Sequence, residues 1–263
     1  MKQLFHDRET VKHRGAGRVA TSRVVRQRIW DKLAAVARPD TRFHLNFAEV
    51  IPDFEGADAA IAGIEALASY RDSKLAFVTP DNSLVELRRR MIEAGKPFVV
   101  STYNMLRGFR LIEPAKVPKG HERYAAWLDG IEHFGTPVSL EDIARIGRFD
   151  FMATGASAVS IDGIRFGRGH GYFDLEWGMF TDMGLADDNT PVIAAVHDVQ
   201  VVEDKLPASE TDIVVDLIAT PSRMIEVARP VRRPRGIKWH LITPEQIAAT
   251  PPLKELARMR GIA

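Results

Sequence analysis

Five apolar segments, residues 75–78, 97–100, 149–154, 191–196 and 212–219, constrain this chain more than any other feature. Each is of strand length and close to continuously apolar. A strand that is apolar on both sides has both faces covered, which is the condition of a parallel sheet with helices packed above and below it. The intervals between the segments supply those helices. Ser83 precedes Glu86 at capping-box spacing and predicts a capped helix over 84–94 that stops at Gly95. Val25, Ile29, Leu33 and Val36 recur at helical spacing after Ser22, which can cap a helix, and Pro39 ends the run. Further helices are predicted over 56–70, from about 122 to 134, over 140–146 with Ser139 as cap, and over 172–183 with Phe173, Trp177 and Phe180 on the apolar face. Segment 107–114 reads as a turn. The expected fold class is α/β, with a mostly parallel sheet built from residues 22–228.

The two ends differ from this body. Residues 1–21 carry Lys2, Arg8, Lys12, His13, Arg14 and Arg18 without periodicity, and are expected to form a mobile basic arm. Residues 229–263 open with Arg229, Arg232, Arg233 and Arg235 interleaved with Pro230 and Pro234, an extended basic linker. A short strand at 239–242 and two short helices are expected after it, the first capped by Thr243. This extension is too small for a core of its own and is expected to pack on the main domain.

Composition narrows the function classes. A net charge of +1 over 263 residues gives no general attraction to nucleic acid or membrane. The four linker arginines support non-specific RNA attraction only, so nucleic acid is not an expected partner. The chain has no cysteine, which removes disulfides, thiolate catalysis and thiolate-held zinc. No run approaches the roughly 18 apolar residues of a membrane helix. Residues 1–28 lack the apolar core of a signal peptide. A cytoplasmic monomer or homodimer is expected.

Candidate chemistry concentrates in Arg165-Phe-Gly-Arg-Gly-His-Gly-Tyr-Phe-Asp174. Gly167, Gly169 and Gly171 alternate with Arg168 and His170. Such glycines let backbone N–H groups approach a ligand, and guanidinium forks match phosphate oxygens. Asp174 offers a hard oxygen to a cation such as Mg2+. The stretch is neither a dinucleotide fingerprint nor a Walker loop, and read alone it serves equally as a phosphate cradle or a structural turn. The predicted helix that follows would present its N-terminus to an anion. Arg23, Arg26 and Arg28 form either a solvated basic face or, through Arg26, a phosphate contact. His170 is a ligand contact or loop filler, and His197-Asp198, at a strand end, is a candidate base pair.

The same residues carry a resemblance. The stretch from Arg165 to Asp174, the strand over 149–154 that leads into it, Leu206-Pro207, Thr211-Asp212, the strand ending at Thr220, and Ile112-Glu113-Pro114 are together similar to the 5-formyltetrahydrofolate cyclo-ligase family, also called methenyltetrahydrofolate synthetases. Ile29-Trp30, Ile51-Pro52-Asp53-Phe54-Glu55-Gly56-Ala57, Gly155-Ala156-Ser157-Ala158-Val159, Tyr172-Phe173-Asp174-Leu175-Glu176 and Gly236-Ile237-Lys238-Trp239 resemble its divergent methenyltetrahydrofolate synthetase domain-containing branch. The resemblance implies a three-layer sandwich of the NagB/RpiA/CoA-transferase type. It also implies an ATP- and Mg2+-dependent ligase that converts 5-formyltetrahydrofolate, its reduced folate substrate, to 5,10-methenyltetrahydrofolate by phosphorylating the formyl oxygen. A non-catalytic folate- or nucleotide-binding protein on the same scaffold is the second implication.

Carried across by position, Arg26, Arg165, Gly167, Arg168, Gly169, His170, Gly171 and Tyr172 would bind ATP. Arg165 and Asp174 would be catalytic, and Asp174 and Asp212 would hold Mg2+. Gly169, His170, Gly171, Tyr172 and Glu55 would border the folate, with Asp53 or Glu49 as alternatives to Glu55. The sequence departs from the family pattern at Ser22, where a lysine is usual. It departs also at Thr154, which stands for the proline of a Pro-Gly pair, and at Phe173, which stands for a second tyrosine.

Overall fold

The computed structural model describes residues 16–203, 206, 208–229 and 232–262, and for residues 16–22 the backbone alone. Among these, eight strands form the central sheet: β1 (Ala76–Val78), β2 (Phe98–Ser101), β3 (Phe109–Ile112), β4 (Thr136–Val138), β5 (Phe151–Thr154), β6 (Val192–Ala195), β7 (Leu217–Ala219) and β8 (Met224–Glu226). Their order is β8-β7-β6-β5-β1-β2-β3-β4. The five strands from β7 to β2 are parallel neighbours, and antiparallel strands flank them on both sides.

The apolar strands divide their side chains between two cores. Phe77, Val99, Met152, Val192, Ala194 and Ile218 face one side of the sheet. Ala76, Val78, Phe98, Val100, Phe151, Ala153, Ile193 and Ala195 face the other. Helices Ala57–Glu65 and Val85–Glu93, with Ala125, Ala126 and Ile131, close the second core. Helices Leu140–Ile146, Tyr172–Asp182 and Pro251–Met259 close the first, where Phe180 sits 4.8 Å from the rings of both Phe77 and Phe149. Each fully buried large side chain contributes roughly 1.5–3 kcal/mol. The molecule is a three-layer α/β sandwich around a mostly parallel sheet.

A smaller sheet of Ala158–Ser160, Arg165–Phe166 and Val201–Val202 projects from the carboxyl edge of the main one. Helix Ala16–Leu33 lays Val25 and Ile29 against it, packing on Ala158, Ile164 and Phe166. That contact brings the N-terminal helix to the glycine stretch.

Several elements differ from expectation. The first helix covers Ala16–Leu33, so Ser22 lies inside it and is not its cap; the rest of the expected arm, residues 1–15, lies outside the described residues. Helix 84–94 is led by a 3-10 turn, Asn82–Leu84, and Ser83 makes no capping bond; its hydroxyl is buried without a hydrogen-bond partner. The 56–70 helix is split into Ala57–Glu65 and Ala68–Arg71. Segment 107–114 holds strand β3. Only Leu217–Ala219 of 212–219 joins the sheet, because Val214 pairs instead with Ile164. Residues 239–242 form a 3-10 turn, Trp239–Leu241. Ser139 and Thr243 cap their helices as predicted, each in a complete capping box.

Candidate active site

Strand order reverses between β1 and β5, and in open α/β sheets ligands gather outside the carboxyl ends of the strands at such a point. The turn after β1 is fixed from below by Arg88. That guanidinium is fully buried and donates to the carbonyls of Thr79 at 2.6 Å, Asp81 at 3.0 Å and Ala126 at 2.8 Å. Burial lowers its pKa to about 9, leaving it charged at neutral pH. The turn presents Asp81, whose carboxylate accepts the Thr79 hydroxyl at 2.6 Å and the Gly155 N–H at 3.0 Å. Gly155 follows β5, so the two strands at the reversal are joined through one carboxylate.

Arg165 reaches the same residue through its next peptide group, donating to the Gly155 carbonyl at 3.3 Å. It is 9% exposed, its guanidinium lies 4.8 Å from the Phe173 ring centroid, and its Nε has no hydrogen-bond partner. Arg26 donates from Nε to the Gly167 carbonyl at 2.9 Å and lies over Phe166. Gly169 and Gly171 have φ of +109° and +64°, values that glycine accepts without strain. Gly171 then begins helix Tyr172–Asp182. An open glycine turn, two arginines 139 positions apart in sequence (26 and 165) and a helix N-terminus are thus brought together, groups of the kind that bind anions.

Arg168 points elsewhere. It donates to the Glu49 carbonyl at 2.9 Å and to Asn104 Oδ1 at 2.8 Å, and lies over the Tyr103 ring. The Tyr103 hydroxyl donates to Glu49 Oε2 at 2.7 Å, and burial together with that bond raises its pKa. Of the three acids considered for the substrate side, Glu49 alone is tied to the glycine stretch. Asp53 pairs with Arg38, and Glu55 is exposed. His170 and Tyr172 lie side by side, ring centroids 5.6 Å apart.

Asp174, in the first turn of the helix, accepts the Ile213 N–H at 3.3 Å. Its neighbour Asp212 accepts the Ser209 N–H at 2.5 Å. The two expected carboxylates thus come from segments in direct contact. No group of three or more metal-ligating side chains occurs among the described residues. Two carboxylates nevertheless suit Mg2+, which commonly completes its shell with phosphate oxygens and water. The residues fit the ion.

One residue goes beyond the sequence reading, and one candidate pair is placed differently. Glu176, one turn into the helix, is 2% exposed beneath this site, and its Oε2 has no hydrogen-bond partner. Burial pushes its carboxyl up to about 8, with Asp81 and Asp174 adding to the rise and Ser101 and Arg165 opposing it. Its one sequence signal is its place inside the apolar run Leu175-Glu-Trp-Gly-Met-Phe180. His197-Asp198, by contrast, is a capping turn: His197 Nδ1 accepts the Val199 N–H at 3.2 Å, and Asp198 accepts the Ser222 hydroxyl at 2.5 Å.

Comparison with known proteins gives the family of the chain. The model of the 5-formyltetrahydrofolate cyclo-ligase family matches residues 18–221. The bovine methenyltetrahydrofolate synthase domain-containing protein is 32% identical over 237 residues, covering 88% of this chain and 60% of that protein. The mouse protein of that name is 32% identical over 235 residues, covering 88% and 62%. The chain thus spans about 60% of the length of these curated relatives. Among solved structures, the NMR structure of Aquifex aeolicus 5,10-methenyltetrahydrofolate synthetase aligns with 80% of this chain and 94% of its own, at 18% identity and a TM-score of 0.48. On the family match, which extends over most of its length, the chain belongs to the 5-formyltetrahydrofolate cyclo-ligase family.

Proposed function

We propose that the protein converts 5-formyltetrahydrofolate to 5,10-methenyltetrahydrofolate at the expense of ATP. The observation that carries this reading is the convergence of Arg26, Arg165 and the glycine turn with Asp174, itself bonded to the segment of Asp212. Phosphoryl transfer requires positioning and charge neutralisation more than a protein nucleophile, and the site offers the former without the latter. In this reading the formyl oxygen attacks the γ-phosphorus and ADP leaves. N10 then attacks the activated carbon, and the C–O bond breaks to release inorganic phosphate.

Arg26, Arg165 and the loop N–H groups from Gly167 to Gly171 orient the triphosphate, and His170 and Tyr172 border the folate. Glu49, held by Tyr103, lines the folate end. Asp174 and Asp212 would hold Mg2+, which when bound would supply charge neutralisation to the phosphoryl transfer.

The test is to mix the purified protein with Mg-ATP and 5-formyltetrahydrofolate and follow the absorbance of the methenyl product. We expect ATP-dependent product formation, and a loss of at least about a hundredfold in Asp174→Ala, in line with the several kcal/mol that a metal ion supplies. No ATP-dependent product, with a known cyclo-ligase active alongside, would overturn the reading. The second reading, ligand binding without turnover, is favoured by Thr154, whose hydroxyl folds onto the adjacent Gly155 carbonyl at 3.2 Å where the family pattern has proline. Calorimetric binding of folate or nucleotide with no product would support it.

A further inference from the structure

The family match ends at residue 221, yet residues beyond it are built into the scaffold of the two carboxylates. Arg233, whose side chain is fully buried, donates from Nε to the Val214 carbonyl at 2.7 Å and from Nη1 to the Thr190 carbonyl at 3.2 Å, and it pairs through Nη2 with Asp216. Asp216 is shared: it also accepts Arg229 Nε at 2.7 Å and the Val192 N–H at 2.7 Å. The Arg233 guanidinium stacks 5.0 Å from the centroid of Trp177, whose indole N–H donates to the Pro234 carbonyl at 2.7 Å.

The same strand of chain then runs along helix Tyr172–Asp182. The Gly236 N–H donates to Thr181 Oγ1 at 2.9 Å, and the Ile237 N–H to Asp182 Oδ2 at 2.9 Å. Gly178 leaves no space between them, since a Cβ there would lie 2.7 Å from Ile237 Cδ1.

These contacts close a ring. Asp174 is one helical turn from Trp177; Trp177 carries Arg233; Arg233 holds Val214; and the N–H of Ile213, next to Val214, returns to Asp174. The arginines of the expected basic linker are thus divided. Arg229 and Arg233 are consumed by Asp188 and Asp216, while Arg232 and Arg235 are exposed.

We propose that Arg233 is a positioning residue for the cation site, fixing the segment of Asp212 against the helix of Asp174 from outside the family's matched region. The proposal rests on the cyclo-ligase reading for the identity of the ligand. Groups behind metal ligands set their orientation, and losing one typically weakens metal binding about ten- to a hundredfold.

The test uses the full chain and two variants, Arg233→Met and Arg233→Lys. Lysine keeps a charge beside Asp216 but cannot donate simultaneously to Val214, Thr190 and Asp216 in a planar fork. Two quantities are read: affinity for Mn2+ with ADP, by the electron paramagnetic resonance of free Mn2+, and ligand-free hydrogen exchange of the Ile213 amide. Expected are about a tenfold loss of Mn2+ affinity, ADP binding in EDTA unchanged, and faster Ile213 exchange, with Arg233→Lys folded should Arg233→Met not be. Lower thermal stability with Mn2+ affinity and Ile213 exchange both at wild-type values would overturn the proposal and leave Arg233 a purely structural residue. Absence of Mn2+-ADP binding in the wild-type protein would overturn the cyclo-ligase reading. In that case the Ile213 exchange still decides whether Arg233 sets the position of this segment.

Discussion

At Gly155 a Cβ would lie 2.6 Å from the Ser83 hydroxyl, 2.9 Å from Ile51 Cγ2 and 3.1 Å from Asp81 Cβ, in the angle between the two strands where the order reverses. Gly155→Ala should therefore cost about 1–3 kcal/mol, as overpacking of a tight interior does. Urea unfolding at equilibrium checks this, and the cyclo-ligase assay should show a parallel fall in rate because Asp81 and Arg165 both hold this residue. At this scale the sequence was informative wherever residue type alone implies chemistry. Gly167 to Gly171, Asp174 and Arg165 stand together in one motif. It was silent where a role depends on distant partners. Glu49 and Glu55 are indistinguishable as letters, and only Tyr103 and Arg168 draw Glu49 to the glycine turn.

Among the elements, helix Val85–Glu93 shows how charge pairs support a surface that faces water. Glu86 lies between Arg89 and Arg90, and its hydrogen bond from Arg89, opposed by burial and aided by Arg90, holds its pKa down to about 2 from an ordinary 4.5. A depressed carboxylate stabilises the fold above its unfolded pKa, and that contribution disappears as pH falls through the folded value. Glu86→Gln should lower stability by about 1 kcal/mol at pH 7, a figure reduced for solvent screening of the partly exposed pair. The gap should close as pH falls from about 4.5 towards 2, which thermal melts across that range will show. Helix Leu140–Ile146 offers a second check: Ser139→Ala removes the cap on Asp142 N–H at 3.0 Å and should cost about 1 kcal/mol in the same melts.

The parallel strands were legible because their apolar runs are unbroken. Strands β3, β4 and β8 were not. Their apolar runs are interrupted by the partly or fully exposed Arg110, Pro137 and Glu226, so their pairing is decided by the sheet edge they meet. Ser83 failed as a cap because the 3-10 turn places Leu84 at the helix start.

Across the whole molecule, the C-terminal residues behave as part of the core. Leu253 and Leu256 are fully buried in it, and Glu255 caps helix Leu140–Ile146 from outside, its carboxylate accepting the Leu140 N–H at 3.0 Å. A chain ending at residue 228 should lose near-ultraviolet dichroism and bind an apolar dye, since Trp177 and its neighbours would face water. The change in composition near 229 was visible in the sequence. The burial of Arg233 was not, because its partners Asp216 and Thr190 lie 17 and 43 positions away.

The seat of Trp177 also has a consequence in time. Its indole waits for a carbonyl 57 positions downstream, and the Leu140 helix waits for a cap 115 positions downstream. On a ribosome adding about 5–20 residues per second, the last sheet strand, ending at Glu226, is complete before either partner exists, by roughly a second for Pro234 and by a few seconds for Glu255. The nascent chain therefore passes through an interval in which this face of its sheet still lacks helix Pro251–Met259, and a chaperone can bind it there.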